Sequence, residues 1–309
     1  MRVLITGHSS PISKRVGEYL TANGYDVSYT SRREIRPNIH YLDLAKASQD
    51  DLSKLCSKQF NSILHFAAVK SATTPRARGI GTLVNVDKTV ALARAAIANG
   101  CRQFIFMSSA AVYGSNTHDQ PFKTTSPCLP ESWYGRSKLA AESQLNILQE
   151  QYNTYASICS IRAPSIYGRE LGGTIHRLSQ YIEAGVPLPY LSTQNSRSVL
   201  SVTNLAEAII QLLRSSTKGP RTINVTDPEP LSTAALVRLI ASAKNRPLRQ
   251  LHLPEGFIRF LLRSTGLNKF EKSLYQDHIL DIGGSSELID FRQFQTTEDA
   301  LLELYGSAK

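Results

Sequence analysis

Apolar residues recur along the first half of the chain in two alternating rhythms. Short continuous apolar runs, Arg2 to Ile5, Asp26 to Thr30, Ser62 to His65 and Gln103 to Met107, read as buried strands. Tyr41 to Leu44 predicts a third short strand, and Tyr155 to Arg162 a later one. Between them lie segments with apolar residues at helical spacing. One turns out of Thr6-Gly7 and runs to about Asn23, where Gly24 ends it. A second covers Gly81 to Asn99 and stops at Gly100. A third begins near Tyr134 and continues through Lys138 to Gln151. Strands alternating with helices predict an α/β fold of Rossmann type, a doubly wound parallel sheet with helices on both faces. In such sheets a ligand binds at the carboxyl ends of the strands. Thr6-Gly7, Asp43, Ala67 and Ser109 all fall there.

Beyond about Arg162 the alternation loosens, and Pro and Gly recur. Residues 1–163 are therefore expected to form a nucleotide-binding domain, with returning segments at about 199–226. Residues 164–309 are expected to form a smaller, interleaved C-terminal substrate-binding lobe. Ile258 to Leu267 is apolar with flanking arginines and is read as a helix packing on that lobe rather than on a membrane.

Composition narrows the class. The chain has 309 residues, 41% hydrophobic and 19% charged, as in an ordinary globular protein. No apolar run approaches a membrane span and no signal-peptide pattern opens the chain, so a cytoplasmic location is expected. The four cysteines lack a C-x-x-C pair and the seven histidines form no cluster, so neither zinc nor a disulfide framework is expected. The net charge of +10 is spread along the sequence. A multiply anionic small ligand accounts for it better than nucleic acid does.

The chemistry centres on Trp133-Tyr134-Gly135-Arg136-Ser137-Lys138. On a helix, Tyr134 and Lys138 leave the same face one turn apart. A phenol titrates at about 10, and a neighbouring cation is expected to bring it toward neutrality. Ser109, at the end of the fifth strand, can hydrogen-bond a substrate oxygen beside Tyr134 or simply cap the strand end. Gly7 opens the first β-α turn, where a helix N-terminus offers free N–H groups to a pyrophosphate. Ser10 and Ser13 hold the places of the two further glycines usual in such a loop, with Pro11 and Ile12 between them. Ser31 and Arg32 follow the second strand where an NAD-selective site has an acid. Small-polar-then-arginine suits a 2′-phosphate, so NADP is expected ahead of NAD. Asp43, beside Leu44, is placed to accept from an adenine amino group or to cap the next helix. Ala67 and Ala68 are small where a backbone must pass close to a cofactor, or where packing is tight.

Several motifs occur in order: T-G-x-x-x-x-I, D-L, H-F-A-A, N-V-D-K-T, S-S-A-A-V-Y-G, Y-G-R-S-K, R-A-P-S-I-Y-G and N-V-T-D. With them the chain resembles the extended short-chain dehydrogenase/reductase family, the NAD-dependent epimerase/dehydratases acting on nucleotide sugars. The resemblance implies a catalytic set of Ser109, Tyr134 and Lys138, with Lys138 also holding the nicotinamide ribose. It implies that Asn85 helps hold the lysine through water, and that Arg197 grips the substrate diphosphate. Thr174 stands where relatives often have asparagine, and Asn204 where they have aspartate. Gly185 to Pro189, Asn195 to Val199 and Asp227 to Thr233 are similar to bacterial sugar 4-ketoreductases. A UDP-4-keto-6-deoxy-N-acetylhexosamine for surface polysaccharide is the implied substrate. A 4-epimerase holding NAD tightly and a non-catalytic NAD(P)-binding sensor are the alternatives. The family also implies a homodimer paired through the Gly81 to Asn99 and Tyr134 helices.

Overall fold

The computed structural model describes every residue except 118–119, 152–155, 190–194, 216–220, 265–270, 272–273 and 307–309. Seven parallel strands form its main sheet: β1 (Arg2–Thr6), β2 (Asp26–Ser31), β3 (Ile39–Tyr41), β4 (Ser62–His65), β5 (Gln103–Met107), β6 (Ser157–Arg162) and β10 (Arg221–Asn224). Their spatial order is β10-β6-β5-β4-β1-β2-β3. The winding reverses between β1 and β4, which opens a crevice beyond their carboxyl ends.

Both faces of the sheet are covered, which is why its strands read as unbroken apolar runs. Val3 and Ile5 of β1 pack toward α1 (Pro11–Ala22) and α7 (Val202–Arg214). Leu4, between them, points the other way, to the core under α2 (Gln49–Cys56), α4 (Lys88–Ala98) and α5 (Trp133–Gln151). A separate core joins α6 (Thr174–Glu183), α8 (Thr233–Ala243) and α10 (Thr297–Tyr305) around Tyr167, Leu178, Ile240 and Leu301. It lies beside two short parallel pairs, β7 (Ser165–Tyr167) with β9 (Val199–Ser201) and β8 (Leu188–Pro189) with β11 (Gln250–Leu251).

Three elements differ from expectation. The third strand is Ile39–Tyr41, not Tyr41 to Leu44, because Ile39 and Tyr41 pair with Tyr29 and Ser31. Leu42 and Leu44 are buried as a strand's residues would be, but Asp43 already accepts from the Lys46 and Ala47 amides in a turn. The helix expected from Gly81 starts earlier, as α3 (Pro75–Thr82), with Thr74 accepting from the Ala77 amide as its cap. It passes through a π-helical stretch, Leu83–Asp87, before α4. The expected strand start at Tyr155 lies outside the described residues, and β6 is described from Ser157. The apolar segment at Ile258 belongs to α9 (Glu255–Ser264), which buries Ile258 and leaves Phe257 and Phe260 exposed. Its expected end at 265–267 lies outside the described residues. Among the described residues no helix is long and apolar enough to cross a membrane.

Candidate active site

The crevice is fixed by a buried relay that the sequence reading overlooked. The Thr6 hydroxyl accepts from the Phe66 and Ala67 amides, each at 3.1 Å. Its own hydrogen is therefore left for Nδ1 of His65, 2.9 Å away, and Nε2 of that ring donates to Thr89, also at 2.9 Å. Burial holds the imidazole neutral, pushed down to about 3, with Lys138 adding to the effect. One neutral ring thus ties the ends of β1 and β4 to α4.

Gly7 stands in this frame with φ +87°, in the left-handed region, and a Cβ there would meet the Ala67 backbone at 3.4 Å. Small residues on both sides leave backbone open to a ligand. Ser10 precedes α1, makes no side-chain cap and is followed by Pro11, so first-turn amides of α1 are free to meet an anion. Ser13 is fully buried and its hydroxyl has no partner among the described residues. Close helix-to-sheet packing is carried instead by Gly17, whose added Cβ would overlap the Tyr29 hydroxyl. The turn retains the features that fit a dinucleotide.

Past β2, the Ser31 hydroxyl accepts from the Arg33 and Glu34 amides at 3.1 Å, and Arg32 and Arg33 are exposed. Glu34 turns back to within 3.2 Å of His8 in the Gly7 turn, so an acid does approach this end of the crevice. Asp43 accepts from the Ala45 amide at 3.2 Å. It orders a turn rather than capping α2, whose cap is the Ser48 and Asp51 capping box.

Tyr134 and Lys138 leave one face of α5, with the Lys138 ammonium 5.8 Å from the Tyr134 ring centre. Lys138 is 1% exposed, donates to the Met107 carbonyl at 2.7 Å and lies 4.4 Å from the Phe106 ring centre. Burial, then the charge of Lys70, pull it down to about 7, against the pull of Glu142. Tyr134 departs from expectation. Burial pushes its phenol up to about 12, because desolvation disfavours the phenolate. Ser109 caps the turn after β5, accepting from the Ala111 amide at 3.2 Å. Asn85, expected to help hold Lys138 through water, accepts from the Val69 amide at 2.8 Å and donates to the Val69 carbonyl and the Ser137 hydroxyl, each at 3.0 Å. It fixes the loop after β4 against α5. The π-helical turn places it there.

A cavity of about 1010 Å³ opens above these residues. It brings together Ser109, Tyr134, Thr174 and Arg197, while Gly7, Ser31 and Asp43 lie outside its lining, along the strand ends. Arg197 donates to the Gln276 carbonyl at 2.9 Å, and burial lowers its affinity for the proton. His278 lines the same wall, pushed down to about 4 by burial and by Arg197. Lys70, Arg78, Trp133 and Arg136 also face the cavity and were not anticipated. Asn204 is not part of it. Its amide donates to Asp227 at 2.7 Å and to the Gln295 carbonyl at 2.9 Å, tying α7 to the segments after β10 and before α10.

Known proteins share this pattern. The model of the NAD dependent epimerase/dehydratase family matches residues 3–226. The UDP-glucose 4-epimerase of Vibrio cholerae is 33% identical over 218 residues, 70% of this chain and 66% of that protein. The N-acetyl-alpha-D-glucosaminyl-diphospho-ditrans,octacis-undecaprenol 4-epimerase of Escherichia coli O157:H7 is 32% identical over 174 residues, 55% of this chain and 51% of that protein. The alignments thus span between about half and two thirds of these relatives. The structure of UDP-N-acetylglucosamine 4-epimerase from Bacillus cereus superposes with a TM-score of 0.79 at 19% identity, covering 99% of this chain and 98% of that one. The UDP-glucuronic acid 4-epimerase of the same organism, solved in complex with NAD, gives 0.74 at 18% identity, covering 99% and 97%. With the motifs in order, the parallel sheet and the match of the family model, the chain belongs to the NAD-dependent epimerase/dehydratase family, within the extended short-chain dehydrogenases/reductases.

Proposed function

We propose that the chain is an NAD(P)-dependent nucleotide-sugar oxidoreductase that reduces the C4 ketone of a UDP-4-keto-6-deoxy-N-acetylhexosamine. The Gly7 turn, Ser10, Pro11 and Ile12 hold the cofactor pyrophosphate. Ser31 and Arg32 meet the adenosine ribose, where Arg32 favours NADP and Glu34 opposes it. Asp43 and Leu44 border the adenine, and Ala67, Ala68 and Asn85 shape the passage toward Tyr134 and Lys138, which meet the nicotinamide ribose. The cofactor, when bound, supplies the hydride that C4 accepts. Tyr134 gives its proton to the carbonyl oxygen, Ser109 hydrogen-bonds that oxygen, and Arg197 forks onto the diphosphate with Thr174 beside it.

The observation that carries the reading is geometric: Ser109, Tyr134 and Arg197 line one cavity, with the Lys138 ammonium 5.8 Å from the Tyr134 ring centre. Burial raises the phenol, so Tyr134 meets the carbonyl oxygen as a proton donor. Tyr134→Phe is expected to fold, bind the nicotinamide nucleotide and lose about 10²–10⁴-fold in turnover. Wild-type turnover in that variant would refute the assignment. A 4-epimerase holding NAD tightly is the second reading, favoured by the epimerase names of both curated relatives. Nucleotide retained through purification supports epimerisation, and freely exchanging NADPH supports reduction.

A further inference from the structure

Trp133 is the one tryptophan of the chain, and it directly precedes Tyr134. Its indole lines the cavity together with Ser109 and Tyr134. Two contacts hold the ring. Its Nε1–H points to the Thr82 hydroxyl at 3.4 Å, so the polar edge is turned toward α3. Its six-membered ring lies against Gly81, where an added Cβ would overlap Cη2 and stand 2.6 Å from Cζ2. Gly81 is buried inside a helix, where alanine is the better former, yet only glycine leaves room for this ring. The polar edge and one stretch of ring are engaged, and what remains for the cavity is carbon.

An aromatic surface of this kind contributes area at little entropic cost and favours carbon-bound hydrogens on its face. The apolar C–H face of a pyranose has that chemistry, and a diphosphate held at Arg197 does not. We infer that Trp133 is the platform for the sugar ring, holding it against Tyr134 and making this end of the cavity specific for the glycosyl part of the ligand. The inference rests on the nucleotide-sugar reading above and adds a specificity residue to it.

The test uses the full chain without nicotinamide nucleotide. Binding of UDP and of UDP-N-acetylglucosamine is measured by calorimetry, and the emission of Trp133 is followed in the same titrations. UDP-N-acetylglucosamine should change the emission and UDP should not. Gly81→Ala, which crowds the ring while leaving the tryptophan in place, should weaken UDP-N-acetylglucosamine about 3–10-fold and leave UDP unchanged. Trp133→Phe should restore most of the affinity that Trp133→Ala loses. Calorimetric binding of the sugar nucleotide with unchanged emission, or equal weakening of both ligands by Gly81→Ala, would overturn the platform and leave the nucleotide-sugar reading standing. Failure of both ligands to bind would overturn that reading, and the platform with it.

Discussion

Lys138 and Glu142 lie one turn apart on α5, both buried, and the protein treats them in opposite ways. Glu142 is saturated. Arg162 Nε donates to both of its oxygens at 3.1 Å, Nη2 donates to Oε2 at 2.6 Å, and the Ser108 hydroxyl donates to Oε1. Arg162 in turn donates to the Tyr113 hydroxyl at 2.9 Å and the Thr124 carbonyl at 3.2 Å. Burial alone would lower the affinity of the guanidinium for its proton, but the bonds and charge of Glu142 outweigh that and raise it. Tyr113 passes the connection to Asn224, which reaches the Phe122 and Asp281 carbonyls. Among the described residues Lys138 has one carbonyl and the faces of the Phe106 and Tyr134 rings, and its proton is loosely held. The paired charge builds the scaffold, and the under-paired one is left able to respond to a ligand.

Breaking either side separates these roles. Lys138→Met is expected to cost about 10²–10⁴-fold in turnover. It should also stabilise the free protein by about 1–4 kcal/mol at pH 6, since an under-paired buried cation is removed. The sign follows from linkage. The folded chain releases this proton near pH 7, whereas the unfolded chain keeps it to about pH 10. Wild-type stability therefore climbs toward that of the variant between those values, and denaturant melts at pH 6 and pH 10 measure the closing gap. Glu142→Gln should do the reverse, destabilising by about 3–5 kcal/mol because Arg162 is left buried without its partner. The double variant Glu142→Leu/Arg162→Leu should recover much of that loss, which a double-mutant cycle reads directly. Smallest is Lys70→Gln. Removing that charge should raise the Lys138 midpoint slightly, seen as a modest shift toward higher pH in its NMR titration.

The difference also explains what could be read in advance. β1, β2, β4 and β5 were legible because buried parallel strands are continuous apolar runs, and Tyr134 with Lys138 because one helical turn fixes their shared face. Leu42 and Leu44 misled, since alternate burial in a turn imitates a strand. Helix α2 and the start of α3 had local signals, the Ser48-x-x-Asp51 box and Thr74-Pro75, that periodicity alone does not weigh. The direction of the Tyr134 shift was illegible, since spacing shows that a cation is near but not how deeply the phenol itself is buried. His65 and His278 meet neighbours distant in sequence, so nothing local marks them, and the seat of Trp133 on Gly81 is equally remote although the residue stands beside Tyr134.

The most direct test of the account is stoichiometric. The protein is mixed with NADPH and a UDP-4-keto-6-deoxy-N-acetylhexosamine, and absorbance at the reduced nicotinamide band is followed beside the sugar product. The account predicts one nicotinamide oxidised for each C4 alcohol formed, with exchangeable cofactor and loss of the reaction in Tyr134→Phe. Interconversion of 4-hydroxy sugars at C4 with no net change in the nicotinamide would contradict it and make the protein an epimerase.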